Sequence, residues 1–310
     1  MRITWLIATM LPASLLAASG PARPGISGVA HIALFAKDYE KSRAYYRDFL
    51  GLEEAYSLKK PDGTPAVIYF KVNDRQFVEL FPEREPNSQR LSHLAFQTDS
   101  AEDMRLYLKA NGITVPDRVT KESNGNTSFT FQDVGGNNIE FVQYDRDGWV
   151  AQQRGQHLGA SRLGQRMMHM GTIATQLEPV LKFYRDLLGF RETWRLSRNG
   201  DFLNWISLQV PEGEDEFEFQ LSREMPPPER RGGANHFCLE IPDVTAALIA
   251  LELRPYRKQY TGTTPIEEHV ATLRKMVSNI TDPDGTRTEL MQPNFIDGKP
   301  IQSSNVPPPR

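Results

Sequence analysis

The sequence predicts an α+β protein with two tandem domains, each built from a pair of strand–helix–strands units. The main support is an internal repeat: the phrase Tyr-Arg-Asp-Phe-Leu-Gly that begins at Tyr46 returns as Tyr-Arg-Asp-Leu-Leu-Gly at Tyr184, 138 positions later. His31 and His169 are separated by the same 138 positions. The second support is that apolar strand-like runs alternate with helical segments in both copies. A chain of 310 residues has room for two domains, and the repeat indicates where they divide.

The first half follows the order strand, helix, strands twice. A helix is predicted for residues 39–50, with Asp38 as its N-cap and Gly51 at its end. A second helix is predicted for residues 101–110, ended by Asn111 and Gly112. Apolar alternation predicts strands at residues 29–35, 66–70, 77–81, 91–96 and 138–142.

The second half repeats this plan. Helices are predicted near residues 178–188 and 243–252, and strands at residues 167–170, 235–239 and 287–291. The predicted boundaries are a domain at 27–145, a linker at 146–166, a domain at 167–293, and a Pro-rich tail at 294–310. We expect the tail to be disordered or strapped over the surface.

The N-terminus is typical of a secretory signal peptide over residues 1–20. Arg2 gives a positive start, an apolar run follows, and small residues near Ala18 offer a cleavage site. An uncleaved membrane anchor is the alternative, but the run is short and Pro12 interrupts it. The sequence therefore predicts an exported protein, with no membrane association after cleavage. A single cysteine, Cys238, excludes an intrachain disulfide.

The net charge of −3 gives no electrostatic reason to expect a nucleic-acid partner. Composition, with 39% apolar and 24% charged residues, is that of a globular domain. These features leave a small molecule as the expected partner, and they leave a homo-oligomer open.

Each half contains two histidines and a glutamate in the same order. Two imidazoles and a carboxylate hold a divalent metal while leaving positions free for substrate. Strand alternation places these side chains on one face, between apolar neighbours, where a carboxylate is costly unless it is paired or binds a cation. For any one residue, ordinary core packing or a solvent-facing glutamate is the alternative. The residues concerned are His31, His93 and Glu140 in the first half, and His169, His236 and Glu289 in the second.

The sequence resembles the vicinal oxygen chelate superfamily, which includes glyoxalases, bleomycin resistance proteins and extradiol dioxygenases. The resemblance covers residues 27–145 and 166–293. Its marks are the strand-borne histidines, the repeated Tyr-Arg-Asp phrase, and the turns that run from Asp133 to Glu140 and from Asp282 to Glu289. This resemblance implies that each pair of βαβββ units forms a curled mixed sheet around one cavity.

The resemblance also implies four metal-ligand positions in each half, for a divalent ion such as Fe, Mn, Zn or Ni. Glu79 corresponds to Gln220 if Leu80 is matched to Leu221, although Glu218 would lie on the same strand face. Glu79, Glu140 and Glu289 are the candidate catalytic bases. The implied ligands are His31, Glu79, His93 and Glu140 in the first half, and His169, Gln220, His236 and Glu289 in the second.

Three functions remain open at this stage. The first is an exported metal-dependent lyase or isomerase of glyoxalase type, although Phe35 and Ile173 stand where such enzymes carry an arginine. The second is a ring-cleaving dioxygenase with Fe(II) on the second-half His, His, Glu set. Against it, Asn279 stands where such enzymes have a tyrosine, no histidine lies near Ser222, and His269 is one residue too early. The third is a metal-free protein that sequesters a small molecule.

Overall fold

The structure is a computed structural model that describes residues 20–86, 88–262 and 265–309. Apart from Gly20, the predicted signal peptide lies outside the described residues. The repeated sequence folds into two eight-stranded sheets with few helices, so the predicted α+β class and paired units are confirmed. None of the helices in the described ranges is long and apolar enough to cross a membrane.

The first sheet has the strand order β2-β3-β4-β1-β5-β8-β7-β6. Its two central strands, β1 and β5, are the first strands of the two units and pair antiparallel. The parallel pairs β1–β4 and β5–β8 join each unit's first strand to its last. The strands are β1 (Ile26–Ala36), β2 (Glu53–Lys59), β3 (Pro65–Lys71), β4 (Phe77–Pro82), β5 (Leu91–Thr98), β6 (Thr120–Lys121), β7 (Thr127–Gln132) and β8 (Asn138–Gln143).

The second sheet has the same order, β10-β11-β12-β9-β13-β16-β15-β14. Its strands are β9 (Met167–Ala174), β10 (Arg191–Leu196), β11 (Trp205–Gln209), β12 (Glu216–Leu221), β13 (His236–Glu240), β14 (Glu268–Val270), β15 (Lys275–Thr281) and β16 (Arg287–Phe295). In both sheets the strands that carry the candidate ligands therefore lie side by side at the centre.

The helices are short, and the first begins after Asp38, its predicted N-cap. They are α1 (Tyr39–Ala44), α2 (Ala101–Ala110), α3 (Trp149–Gln152), α4 (Leu177–Val180) and α5 (Val244–Leu253). Asp38 caps α1 by accepting a hydrogen bond from the Lys41 amide. The repeated Tyr-Arg-Asp phrase does not continue α1 and α4 as ordinary α-helix. It forms wider π-helical turns over Tyr45–Phe49 and Leu181–Leu187 instead.

One continuous apolar core joins the two halves, since the same cluster contains buried residues of both sheets. The tail crosses the second half and makes backbone hydrogen bonds to it. The Ser304 amide donates to Arg195 O at 2.9 Å, and the Leu203 amide donates to Pro307 O at 2.8 Å. The tail is thus strapped over the surface, which was one of the two outcomes expected from its sequence.

Candidate metal centres

The first-half cluster consists of His31, Glu79, His93 and Glu140, and the structure brings all four together. The Nε2 atoms of the two histidines are 2.9 Å apart. Glu79 Oε1 lies 3.3 Å from His31 Nδ1, and Glu140 Oε2 lies 3.5 Å from His93 Nε2. The strand register brings these side chains together. Ala33 lies two residues after His31 on β1, and it pairs with His93 on the neighbouring strand β5 and with Glu79 on the other neighbour, β4.

The first-half cluster is buried and not fully satisfied. Glu140 accepts a 3.4 Å hydrogen bond from the Thr130 hydroxyl through Oε2, while its buried Oε1 has no hydrogen-bond partner. An unpartnered buried carboxylate oxygen is costly, and a cation is one way to compensate it.

The second-half cluster consists of His169, Glu218, His236 and Glu289. Its histidine Nε2 atoms are 3.1 Å apart, and Glu289 Oε2 lies 3.1 Å from His169 Nε2. Glu218 Oε1 lies 3.8 Å from His236 Nε2. The second half therefore repeats the arrangement of two histidines and two carboxylates.

The orientation of His236 is fixed by two features. Its Nδ1 lies 2.7 Å from Ala234 O, which can only accept, so Nδ1 carries the proton and Nε2 keeps its lone pair for a ligand. Gly171 pairs with His236 across the strands, and a Cβ at this glycine would collide with the imidazole ring. The first half has Ala33 at the corresponding place.

The strand register corrects one predicted ligand. Glu79 pairs with Ala33, two residues after His31, and Glu218 pairs with Gly171, two residues after His169. Glu218 is therefore the counterpart of Glu79. Gln220 pairs with Ile173 instead, two positions further along β12. Matching Leu80 to Leu221 produced the error, because the loop before β12 is shorter than that match assumed.

Electrostatics differ between the two clusters. In the first, burial lowers the pKa of His31 well below its ordinary value and lowers the pKa of His93 to about 4. Burial, followed by repulsion from Glu140, raises the pKa of Glu79, and burial also raises the pKa of Glu140. Without a cation, the first-half cluster therefore favours neutral side chains.

In the second cluster, Arg287 adds a positive charge. Burial opposes ionisation of Glu289, but Arg287 and the hydrogen bond from His169 outweigh it, so the pKa of Glu289 is well below its ordinary value. Burial raises the pKa of Glu218 to about 7. Glu289 thus stays ionised, whereas Glu218 titrates near neutral pH.

Each cluster opens into a cavity. The first cavity has a volume of about 330 Å³ and reaches Glu79, His93 and Glu140. The second has a volume of about 250 Å³ and reaches Glu218 and Glu289. A small molecule entering either cavity would meet the carboxylates directly.

Both clusters fit a divalent cation. Two nitrogens that are each about 2.1 Å from one ion, at a right angle, lie about 3.0 Å apart. The observed histidine separations of 2.9 and 3.1 Å agree with this value. Two carboxylates and two neutral imidazoles also balance a charge of +2. The donor set of nitrogen and oxygen suits Fe, Mn, Zn or Ni rather than a metal that requires thiolates.

Two further residues border the second-half cluster. The Cys238 sulfur lies within 4.8 Å of ligand atoms of His169 and Glu289, and burial raises the pKa of its thiol. Cys238 lies two residues after His236, so strand alternation places both side chains on one face. Arg287, two residues before Glu289, was missed, although the same alternation rule would have placed it on the ligand face.

Comparisons with known proteins agree with this architecture. The family model described as Glyoxalase/Bleomycin resistance protein/Dioxygenase superfamily matches residues 28–141 and 166–290. Among curated proteins, YwkD of Bacillus subtilis (strain 168), described as uncharacterized, is 30% identical over 95 residues, which cover 28% of this chain and 74% of YwkD.

Two solved structures share the fold. The Mn(II)-bound glyoxalase from Novosphingobium aromaticivorans has a TM-score of 0.65 at 20% identity, covering 87% of this chain and 83% of that protein. The 2,3-dioxygenase LapB from Pseudomonas sp. KL28 has a TM-score of 0.64 at 18% identity, covering 93% of this chain and 98% of that protein. At these identities the likeness concerns the fold alone.

Proposed function

The chain belongs to the glyoxalase/bleomycin resistance protein/dioxygenase superfamily, and from this membership we propose that it is a divalent-metal-dependent lyase or isomerase. Its substrate would be a small molecule that chelates through two adjacent oxygens. One observation carries the proposal: beside a cavity, each half brings two buried histidines and one glutamate to within 4.8 Å of one another, and a second glutamate contacts one of these histidines.

The number of donors favours this chemistry over ring cleavage. Four side-chain ligands in each half would leave two places on a six-coordinate ion, and a substrate with two adjacent oxygens needs two. A dioxygenase must also accommodate dioxygen, which a set of two histidines and one carboxylate allows. A bound divalent ion would act as a Lewis acid toward both substrate oxygens.

Carboxylates of each cluster supply the base in this proposal. Glu79 and Glu140 line the first cavity, and burial raises the pKa of both. Such a carboxylate is a stronger base than a solvated one and can take a proton from the carbon beside a carbonyl. In the second half we assign this role to Glu218 rather than to Glu289, because Arg287 keeps the pKa of Glu289 low.

A ring-cleaving dioxygenase is the second candidate, and one observation favours it. His269 and Asn279 line the second cavity together with Glu289, which places an imidazole in the region where such enzymes carry a catalytic histidine. Oxygen uptake with catechol and Fe(II), lost in His269→Ala, is the result expected of this candidate.

Hydrogen exchange tests the main proposal. The protein, loaded in turn with Mn(II), Zn(II), Ni(II) or Fe(II), is incubated with 2-hydroxyacetophenone in deuterium oxide. We expect deuterium at the carbon beside the carbonyl, without oxygen uptake, and loss of exchange in the triple variant Glu79→Gln, Glu140→Gln, Glu218→Gln. Glu214→Gln, at an exposed site, is the matched control. Exchange that persists in the triple variant contradicts the proposal. Ligand binding by metal-free protein that a chelator does not change also contradicts it.

Export is part of the same proposal and depends on the N-terminal sequence alone. The apolar run after Arg2 and the small residues near Ala18 support cleavage before the first domain. N-terminal sequencing of the protein from fractionated cells tests this, and we expect a start near residue 21 in the extracytoplasmic fraction. A start at Met1 in the cytoplasm would contradict it.

A further inference from the structure

We propose that the second-half cavity selects planar substrates in which one of the two adjacent oxygens belongs to a carboxylate, and that Arg287 pairs with that carboxylate. This assignment rests on the proposed function of the second-half cluster and names the substrate class for it. It makes Arg287 a specificity-determining residue.

Arg287 is placed beside the cluster and has donors to spare. It lies on β16 two residues before Glu289, so both side chains share one strand face. Its Nη1 is 3.3 Å from Asn279 Oδ1 and 3.6 Å from Glu289 Oε1, while its buried Nε has no hydrogen-bond partner. A guanidinium has five donors and binds a carboxylate through two parallel hydrogen bonds.

Glu289, at 3.6 Å, is the charged partner of Arg287 among the described residues, since Asn279 is neutral. Glu289 is itself a candidate metal ligand, so a bound divalent ion would draw on the same carboxylate and leave the guanidinium charge for an anionic ligand. The Arg287 side chain is 21% exposed and lines the cavity, so an anionic oxygen at its Glu289 end would meet the guanidinium charge.

The first half lacks this feature at the corresponding positions. Asn138, two residues before Glu140, stands where Arg287 does, and its side chain donates to Ser92 O at 3.0 Å. Thr130 pairs with Glu140 as Asn279 pairs with Glu289. The only cation lining the first cavity among the described residues, Lys121, is paired with Asp145 at 2.9 Å. Selection for a carboxylate is therefore not expected of the first cavity.

The walls of the second cavity favour a flat molecule. Two indoles line it, and the guanidinium of Arg198 lies 5.0 Å from the centre of the Trp205 ring. Aromatic faces stack on planar ligands, and a volume of about 250 Å³ suits a single ring with a short side chain. The apolar wall residues include Trp194, Leu196, Trp205, Leu273, Val277 and Met291.

Two matched probes test the assignment. Benzoylformate and 2-hydroxyacetophenone share a phenyl ketone, but the first adds a carboxylate and the second a neutral hydroxymethyl group. Binding to the metal-loaded full chain is measured by calorimetry and by quenching of tryptophan fluorescence. We expect benzoylformate to bind at least about tenfold more tightly, as for a charge-assisted pair of hydrogen bonds.

Variants show whether Arg287 causes the preference. Arg287→Gln should abolish the preference for benzoylformate. Arg287→Lys keeps the charge but cannot donate two parallel hydrogen bonds, so it should retain part of the preference. Arg185→Gln removes an exposed arginine elsewhere and should change nothing. The preference should survive in His31→Ala and disappear in His169→Ala, since only the latter disturbs the second half.

Metal content separates the two possible failures. The inference is overturned if metal-loaded protein binds both probes equally, or if the preference for benzoylformate persists in Arg287→Gln. Either result leaves the proposed function standing. Protein that binds neither metal nor probe overturns both.

Discussion

The hydroxyl of Tyr46 in the first half donates a 2.9 Å hydrogen bond to Asp282 in the second half. The relation is reciprocal, because Tyr184 of the second half donates a 2.7 Å hydrogen bond to Asp133 of the first. All four side chains are buried. Both tyrosines belong to the repeated phrase, and both aspartates begin the turn before the last strand of a half. The motifs that mark each copy in the sequence thus hold the two copies together.

Loss of either hydroxyl should destabilise the protein. Tyr46→Phe and Tyr184→Phe each leave a buried carboxylate without one of its donors, which costs about 1–3 kcal/mol in the free energy of unfolding. Urea denaturation measures the change. Tyr256→Phe is the control, because the ring of Tyr256 packs against Tyr45 but its hydroxyl makes no hydrogen bond to the described residues. Equal stability of all three variants and the parent would show that the reciprocal contacts contribute nothing.

Asp282 should make stability depend on pH. Burial, followed by repulsion from Asp284, raises the pKa of Asp282 to about 7 from an ordinary value of 3.8. Between these values the native state keeps a proton that the unfolded state releases, so the free energy of unfolding falls as the pH rises through this range. Asp282→Asn should flatten that part of the profile in denaturation series from pH 4 to 8. If the free energy of unfolding of Asp282→Asn falls with pH as steeply as that of the parent, Asp282 is not the cause of the pH dependence.

Glu218, and not Gln220, should support metal binding in the second half. In a His31→Ala background, where the first cluster is disabled, Glu218→Ala should weaken metal affinity by about a hundredfold or more. Gln220→Ala, its neighbour on the same strand face, should leave the affinity within a factor of two or three. Metal titration with a competing chelator measures both. A larger loss of metal affinity in Gln220→Ala than in Glu218→Ala would instead support Gln220, the ligand that the sequence predicted.

Gly171 should be required for the position of His236. A methyl group at residue 171 would occupy the space of the imidazole, so Gly171→Ala should displace His236 and reduce second-half metal affinity. Gly233→Ala is the control, because a Cβ at this site meets nothing within 4 Å. Metal titration with a competing chelator in the His31→Ala background measures the change. Full metal affinity in Gly171→Ala would contradict the role given to the glycine.

The sequence was sufficient for the duplicated fold and for six of the eight cluster positions, because strand alternation and the repeat act locally. The family resemblance added a seventh position, Glu79. The prediction failed at Gln220 because the offset between the halves changes at each loop, and only the pairing of Glu218 with Gly171 defines the counterpart. Edge strands such as β2 and β10 were not located, since their polar, partly exposed sequences resemble loops.

Contacts between the halves could not be predicted either. Tyr46 and Asp282 are 236 positions apart, and no periodicity within one strand or helix relates them. The free Nε of Arg287 is likewise a result of packing, because it depends on which acceptors the neighbouring strands bring near.

Metal stoichiometry tests the central claim most directly. We expect the purified full-length or signal-cleaved protein, supplied with Mn(II), Zn(II), Ni(II) or Fe(II) and freed of excess ion, to retain about two equivalents per chain. His31→Ala and His169→Ala should each retain about one, and the double variant none, while His157→Ala, at a partly exposed linker histidine, should retain both. Absence of metal from the parent protein, or full retention in the double variant, would contradict the account.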